Sequence, residues 1–87
     1  MTRYTVTWNE DAAAELAAIW LVSSSRAAVT NATTEIDLQL RHDASTKGES
    51  FGEHRLLLID NLLAIFSVTE EDRLVRVLQV REISISD

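Results

Sequence analysis

Residues 54 to 83 read HRLLLIDNLLAIFSVTEEDRLVRVLQVREI, and this stretch limits the folds open to the chain more than any other. Three runs of β-favouring residues are parted by two polar breaks, Asp60-Asn61 and Thr69-Glu70-Glu71-Asp72. An Asp-Asn pair between apolar runs signals a two-residue hairpin, because both residues tolerate the positive φ of the primed turns. The acidic run suits a longer hairpin loop. The stretch therefore predicts an antiparallel meander with strands over 54–59, 62–68 and 73–80. These strands are not one-sided. Leu56 and Leu58 alternate with Leu57 and Ile59, and Leu62, Ala64, Phe66 and Val68 oppose Leu63, Ile65 and Ser67. Alternation puts Arg73, Val75, Val77, Gln79 and Arg81 on one face of the last strand, and Leu74, Arg76, Leu78 and Val80 on the other. A sheet that is apolar on both faces has to be covered twice. The second face needs a partner, a terminal segment or a second copy packed sheet to sheet as a homodimer, and left bare it is an association site.

The upstream half supplies one cover. RYTVTW at 3–8 alternates Tyr4, Val6 and Trp8 against Arg3, Thr5 and Thr7, the pattern of a half-buried strand. Asn9 is a good N-cap, and Glu10 and Asp11 place negative charge in a first helical turn. The alanine-rich segment 10–22 predicts a helix with Leu16, Ile19 and Trp20 on its apolar stripe, so both tryptophans read as core. Ser23-Ser24-Ser25 breaks it, and a second helix over 26–42 carries Val29, Ala32, Ile36 and Leu40 inward. Two helices joined by a short turn form an antiparallel hairpin. Residues 43–50, DASTKGES, read as a loop with Gly48 as its flexible point. The expected architecture is α+β, a single domain over 1–87 in the order β-α-α-β-β-β, with a helical hairpin on a mainly antiparallel sheet.

A chain of 87 residues leaves no room for a second core, and it buries only about two-thirds of its unfolded surface. There are no cysteines, which excludes disulfides and thiolate metal sites and points to a reducing, cytoplasmic setting. No apolar run approaches the ~20 residues of a membrane span, and no basic-then-apolar leader opens the sequence. The net charge of −6 weighs against a protein whose main work is non-specific phosphate binding, and favours a partner offering positive charge. Two histidines in different elements, without clustered carboxylates, make no metal site, and two glycines do not build a phosphate loop, so no cofactor is expected.

The opening YTVTWNEDAAAELAAIW, an aromatic strand running into a helix, and the closing LLAIFSVTEEDRLVRVLQVREI, a strand, an acidic turn and VRVLQV, resemble the RelE/ParE superfamily of type II toxin–antitoxin toxins, the plasmid stabilisation system family of bacteria. The resemblance spans nearly the whole chain. It implies a RelE-like two-layer fold and a cognate antitoxin as partner. Its RelE-type branch cuts messenger RNA on the ribosome, and its ParE-type branch poisons DNA gyrase by protein contact. RNA cleavage through the 2′-hydroxyl needs cations at the phosphate and a group to move protons. Where such ribonucleases tend to carry a strand arginine, this chain has Leu63, with Asn61 as the polar neighbour. Its tail after Val80 reads REISISD, with Arg81 and no tyrosine or histidine. The resemblance therefore implies a ParE-like toxin acting by contact. The alternatives are a RelE-type endoribonuclease or a degenerate, non-toxic homologue.

On the ribonuclease alternative the catalytic candidates are Arg55, Arg76, Arg81 and Lys47, with His54 as general acid or base. Each has a plainer reading. His54 and Arg55 read more simply as solvated strand-end residues, paired with Glu53 or the 70–72 turn. Arg73, Arg76 and Arg81 read as cross-strand partners of Glu70, Glu71, Asp72 or Glu82, each pair contributing a few tenths of a kcal/mol. Lys47 reads as a solubility residue in its loop, and His42 as a C-terminal helix residue favoured by the dipole.

Overall fold

The structure, a computed structural model, describes residues 3–42 and 44–83. The order is β1 (Thr5–Trp8), α1 (Glu10–Val22), α2 (Arg26–Arg41), a short 3-10 helix (Ala44–Thr46), β2 (Glu49–Phe51), β3 (His54–Ile59), β4 (Leu62–Thr69) and β5 (Leu74–Glu82). One five-stranded sheet runs β1-β5-β4-β3-β2, with β1 parallel to β5 and every other pair antiparallel. The expected α+β architecture is present. No helix among the described residues is long and apolar enough to cross a membrane.

The local signals act where the sequence places them. Asn9 Oδ1 accepts from the Ala12 N–H at 2.8 Å, and Glu10 and Asp11 fill the first turn of α1. Asp60 takes φ of 54°, the left-handed first position that both primed turns require, and Ile59 pairs directly with Leu62 across it. The acidic turn closes when the Arg73 N–H donates to the Glu70 carbonyl at 3.2 Å. Arg73 has φ of 51° and belongs to this turn, so β5 starts one residue later than the sequence predicts. Tyr4 locks the turn to the first strand: its buried hydroxyl donates to the Glu70 carboxylate at 2.6 Å.

The core lies between the helices and one face of the sheet. Val29, Ala32, Ile36 and Leu40 of α2 are all buried, as their spacing predicts. They meet a sheet face on which Leu57, Leu62, Ala64, Phe66, Val75, Val77 and Val80 are buried. The stripe of α1 is narrower than expected. Ala12 is fully buried, Leu16 and Ile19 pack partly, and Trp20 is 39% exposed. Positions 12, 16 and 19 follow one helical face, and Trp20 falls a further ~100° round the helix, off the sheet.

Two further expectations change. The segment 43–50 is not a simple loop. It makes a 3-10 turn and then an edge strand, β2, whose Glu49, Ser50 and Phe51 pair with Leu56, Arg55 and His54. Gly48 makes this possible: it has φ of +69°, and a Cβ there would run into the backbone carbonyl of Leu56. Gly48→Ala should lift this segment off β3 and cost about 2 kcal/mol or more, combining left-handed strain with a backbone clash. Thermal melting reads the loss, and faster amide exchange at Glu49–Phe51 locates it. The other change is in β5. Ile65 pairs with Gln79 but Phe66 pairs with Val77, so Leu78 is an extra residue opposite none. This bulge reverses the alternation beyond it. Val75, Val77 and Val80 therefore share the buried face, and Arg81 joins Arg76 on the opposite one instead of facing away from it.

Candidate functional site

The sheet face turned away from the helices carries a defined map of side chains. Strand register lines up Phe51, His54, Ser67, Arg76 and Thr7 in a row across all five strands. Phe51 pairs with His54, and Arg76 pairs with both Ser67 and Thr7. His54 follows on from the Arg55–Phe66 pair, and continuing that register sets it beside Ser67. The next row is Glu49, Leu56, Ile65 and Gln79, and the third is Leu58, Leu63 and Arg81. Strands ~4.8 Å apart put the His54 and Arg76 backbones about 10 Å apart. One end of the face is thus aromatic, imidazole, hydroxyl and guanidinium. The next two rows are aliphatic on β3 and β4, with Leu58 47% exposed.

The four catalytic candidates do not gather in one place. Arg76 and Arg81 share the open face, although alternation had set them on opposite sides. Arg76 is exposed and has no ion-pair partner among the described residues. Arg81 is held by Glu15 of α1, with Nη1 2.6 Å from Oε2. The other oxygen of Glu15 accepts the Val80 N–H at 2.9 Å. The reason is topological. β1 ends opposite Val77, so the outer edge of β5 beyond it lacks a strand, and a helix carboxylate takes its amide. The expected pairing of Arg81 with Glu82 or the acidic turn gives way to this contact.

Arg55 lies in a pair with buried Phe66, on the helix side of the sheet. Its Nε donates to the Lys47 carbonyl at 2.8 Å and its Nη2 to the Gly48 carbonyl at 3.2 Å. A patch joining Arg55 to Arg76 and Arg81 therefore does not form; Arg55 ties down the loop that launches β2. Lys47 sits in that loop, with β3 and β4 lying between β2 and the arginines of β5. His42 pairs its backbone with Arg3 just past α2, and its buried Nδ1 has no hydrogen-bond partner among the described residues. Among the described residues no three His, Cys, Asp or Glu side chains are placed to share a metal ion.

A second feature lies between the helices. Ala13, Leu16, Ala17, Trp20 and Leu21 of α1 face Val29, Thr30, Thr33 and Thr34 of α2 across a groove of about 620 Å³, with Trp8 also lining it. The groove is more apolar than its threonines suggest. Thr33 Oγ1 donates to the Val29 carbonyl at 2.8 Å and Thr34 Oγ1 to the Thr30 carbonyl at 3.0 Å, so the protons of these two hydroxyls are already used within α2. Leu21 and Val22 continue the apolar surface at 62% and 80% exposure. One signal for this was present in the sequence. After Glu15 no charge occurs until Arg26, and a helix apolar all round is not built to face water alone. Phe51, Ser67 and Gln79, by contrast, enter the open face only through strand register.

No family model and no curated protein matches the chain. Solved structures do. The RelBE2 toxin–antitoxin complex of Mycobacterium tuberculosis is similar at 15% identity over 94% of this chain and 93% of that one, with a TM-score of 0.78. The chromosomal ParDE toxin–antitoxin system of Pseudomonas aeruginosa is similar at 22% identity over 94% and 98%, with a TM-score of 0.69. The isolated RelE toxin of Escherichia coli matches at 18% identity over 97% and 88%, with a TM-score of 0.56. With its helical pair on a mainly antiparallel sheet matched almost end to end by these structures, the chain has the RelE/ParE toxin fold.

Proposed function

We propose that this chain is the toxin component of a type II toxin–antitoxin system. It acts by protein contact on a ParE-type target such as DNA gyrase, and a cognate antitoxin neutralises it by laying an apolar helix into the α1–α2 groove. The observation that carries this reading is the groove itself, apolar and continuous with exposed Leu21 and Val22. A helix-in-groove contact supplies what such a surface lacks. The similar structures include toxin–antitoxin complexes, which supports an antitoxin as the occupant. The aliphatic centre of the open face and the engagement of Arg81 by Glu15 support contact over catalysis. Inducible expression in a bacterial host, with and without the neighbouring gene, tests the proposal. The expected result is growth arrest with gyrase-linked DNA breaks, relieved by the neighbouring gene. Unaffected growth would leave a non-toxic homologue.

One observation favours a second reading, a ribosome-dependent messenger-RNA endonuclease. The row Phe51, His54, Ser67 and Arg76 offers a base-stacking ring, a proton-transfer group and an exposed cation along one line. In that reading His54 moves the 2′-hydroxyl proton and Arg76 meets the charge growing on the phosphate, while Arg55 and Lys47 hold the adjoining loop and Arg81 lies at the far end of the face. Primer extension on translating ribosomes should then show new cuts on induction, and Arg76→Ala should slow cutting about 100-fold or more. An unchanged cleavage pattern on induction removes the reading.

A further inference from the structure

Arg26 is the first residue of α2, yet its side chain serves the end of α1. Its Nε donates to the Trp20 carbonyl and its Nη2 to the Leu21 carbonyl, both at 3.2 Å. The last carbonyls of a helix need partners from outside it, often through a left-handed glycine just past the end. Here α1 has no basic residue in its last turn and ends on Ser23 in an extended conformation, with φ of −70° and ψ of 140°. The Arg26 guanidinium fills that role and meets the negative end of the helix dipole. The same group also lies over the Trp20 ring, 4.6 Å from its centroid. One side chain therefore fixes both the end of α1 and a half-exposed ring that lines the groove.

That ring is under a pull in the other direction. Trp20 keeps 39% of its surface exposed beside an apolar groove of about 620 Å³, larger than an indole. Turning into the groove would remove apolar surface from water and shut the groove. Cation–π contact and the two hydrogen bonds oppose this by holding the ring and its backbone against one guanidinium.

We infer that Arg26 is a positioning residue for the groove: it holds Trp20 at the rim so that the groove stands open for an apolar helix before any partner arrives. The inference rests on the groove being a docking surface, and it adds that the opening is set by a residue outside the lining. A partner meeting an open groove is spared the cost of displacing the indole, which is how pre-organisation raises affinity. A residue that only capped α1 would give the same stability but would not depend on Trp20.

An uncharged apolar fluorophore, N-phenyl-1-naphthylamine, reads the opening without responding to the charge of Arg26. It is titrated into the wild-type chain, R26A, R26K, W20A and the R26A/W20A double variant, each checked for folding by far-UV circular dichroism. Both R26A and R26K should bind the dye about five-fold more weakly or worse, with tryptophan emission moved to the blue as Trp20 turns inward. R26K keeps the charge and loses the planar fork, so it stands in if R26A does not fold. In the W20A background the Arg26 substitution should make no further difference. Equal dye affinity in the wild type and the Arg26 variants overturns the inference. So does an equal loss with and without Trp20, or a wild-type chain that takes up no dye. A chain that binds dye as expected but ignores the neighbouring gene product would count against the antitoxin and leave the clamp in place.

Discussion

Phe66→Ala should lower the melting temperature by about 15–25 °C, the largest stability loss expected from any single truncation in this chain. Phe66 has 0% exposure and lies on β4, the middle strand of five. It pairs with Arg55 on one side and Val77 on the other, immediately next to the bulge in β5. Removing a buried phenyl ring costs about 3–5 kcal/mol, from lost transfer energy and from the cavity left behind. Small domains hold only about 5–15 kcal/mol in total, so the variant approaches the unfolding threshold at growth temperature. Leu63→Ala on the same strand is the control. Leu63 is half-buried and looks out from the open face, so its loss should be about 1 kcal/mol. Circular dichroism melts of the two variants compare the faces directly. Equal losses would mean that the helices do not cover the face assigned to them.

The same contrast shows where the sequence can be read and where it cannot. Turns and stripes are local, and they were legible. The Asp60-Asn61 pair gives its hairpin, and Val29, Ala32, Ile36 and Leu40 give the buried face of α2. Faces of strands are legible only while alternation is unbroken. In LVRVLQV the buried valines are 75, 77 and 80, and the step of three is the trace that the bulge leaves in the sequence. Counting by twos through it separates Arg76 from Arg81, when the folded sheet unites them. Arg55 was misplaced for a different reason. Its charge suggests water or a phosphate, but a long side chain can turn its donors to backbone carbonyls, here those of Lys47 and Gly48. The row from Phe51 to Thr7 is out of reach altogether, since it needs β2, and two polar residues and one phenylalanine after a glycine do not announce a strand. Trp20 reads as core from the sequence because a helical stripe does not say whether its outermost residue meets a sheet or a groove.

Ala17→Arg should weaken binding of the cognate antitoxin about 100-fold or more, close to 3 kcal/mol, while leaving the fold intact. Ala17 lines the groove and is exposed, and arginine is a good helix former, so the stability change should stay within about 0.5 kcal/mol. The penalty falls on the complex alone. A guanidinium in an apolar groove offers five donors to a few threonine hydroxyl oxygens, so most of them lose their water without a partner when an apolar helix arrives. Arginine can escape by extending to the rim, so Thr33→Arg on the opposite wall is the companion variant. Ala18→Arg, one residue along α1 and outside the lining, should change affinity little. Isothermal titration against the neighbouring gene product gives the affinities, and co-expression gives the consequence in cells. The groove and the open face lie on different sides of the sheet, so the two properties should come apart. Ala17→Arg should stay toxic when the antitoxin is present, whereas Arg76→Ala should still bind the antitoxin whatever it does to toxicity. If Ala17→Arg and Thr33→Arg are both neutralised as well as the wild type, the antitoxin sits elsewhere, and the bare sheet face with Leu56, Leu58, Leu63 and Ile65 becomes the surface it must cover.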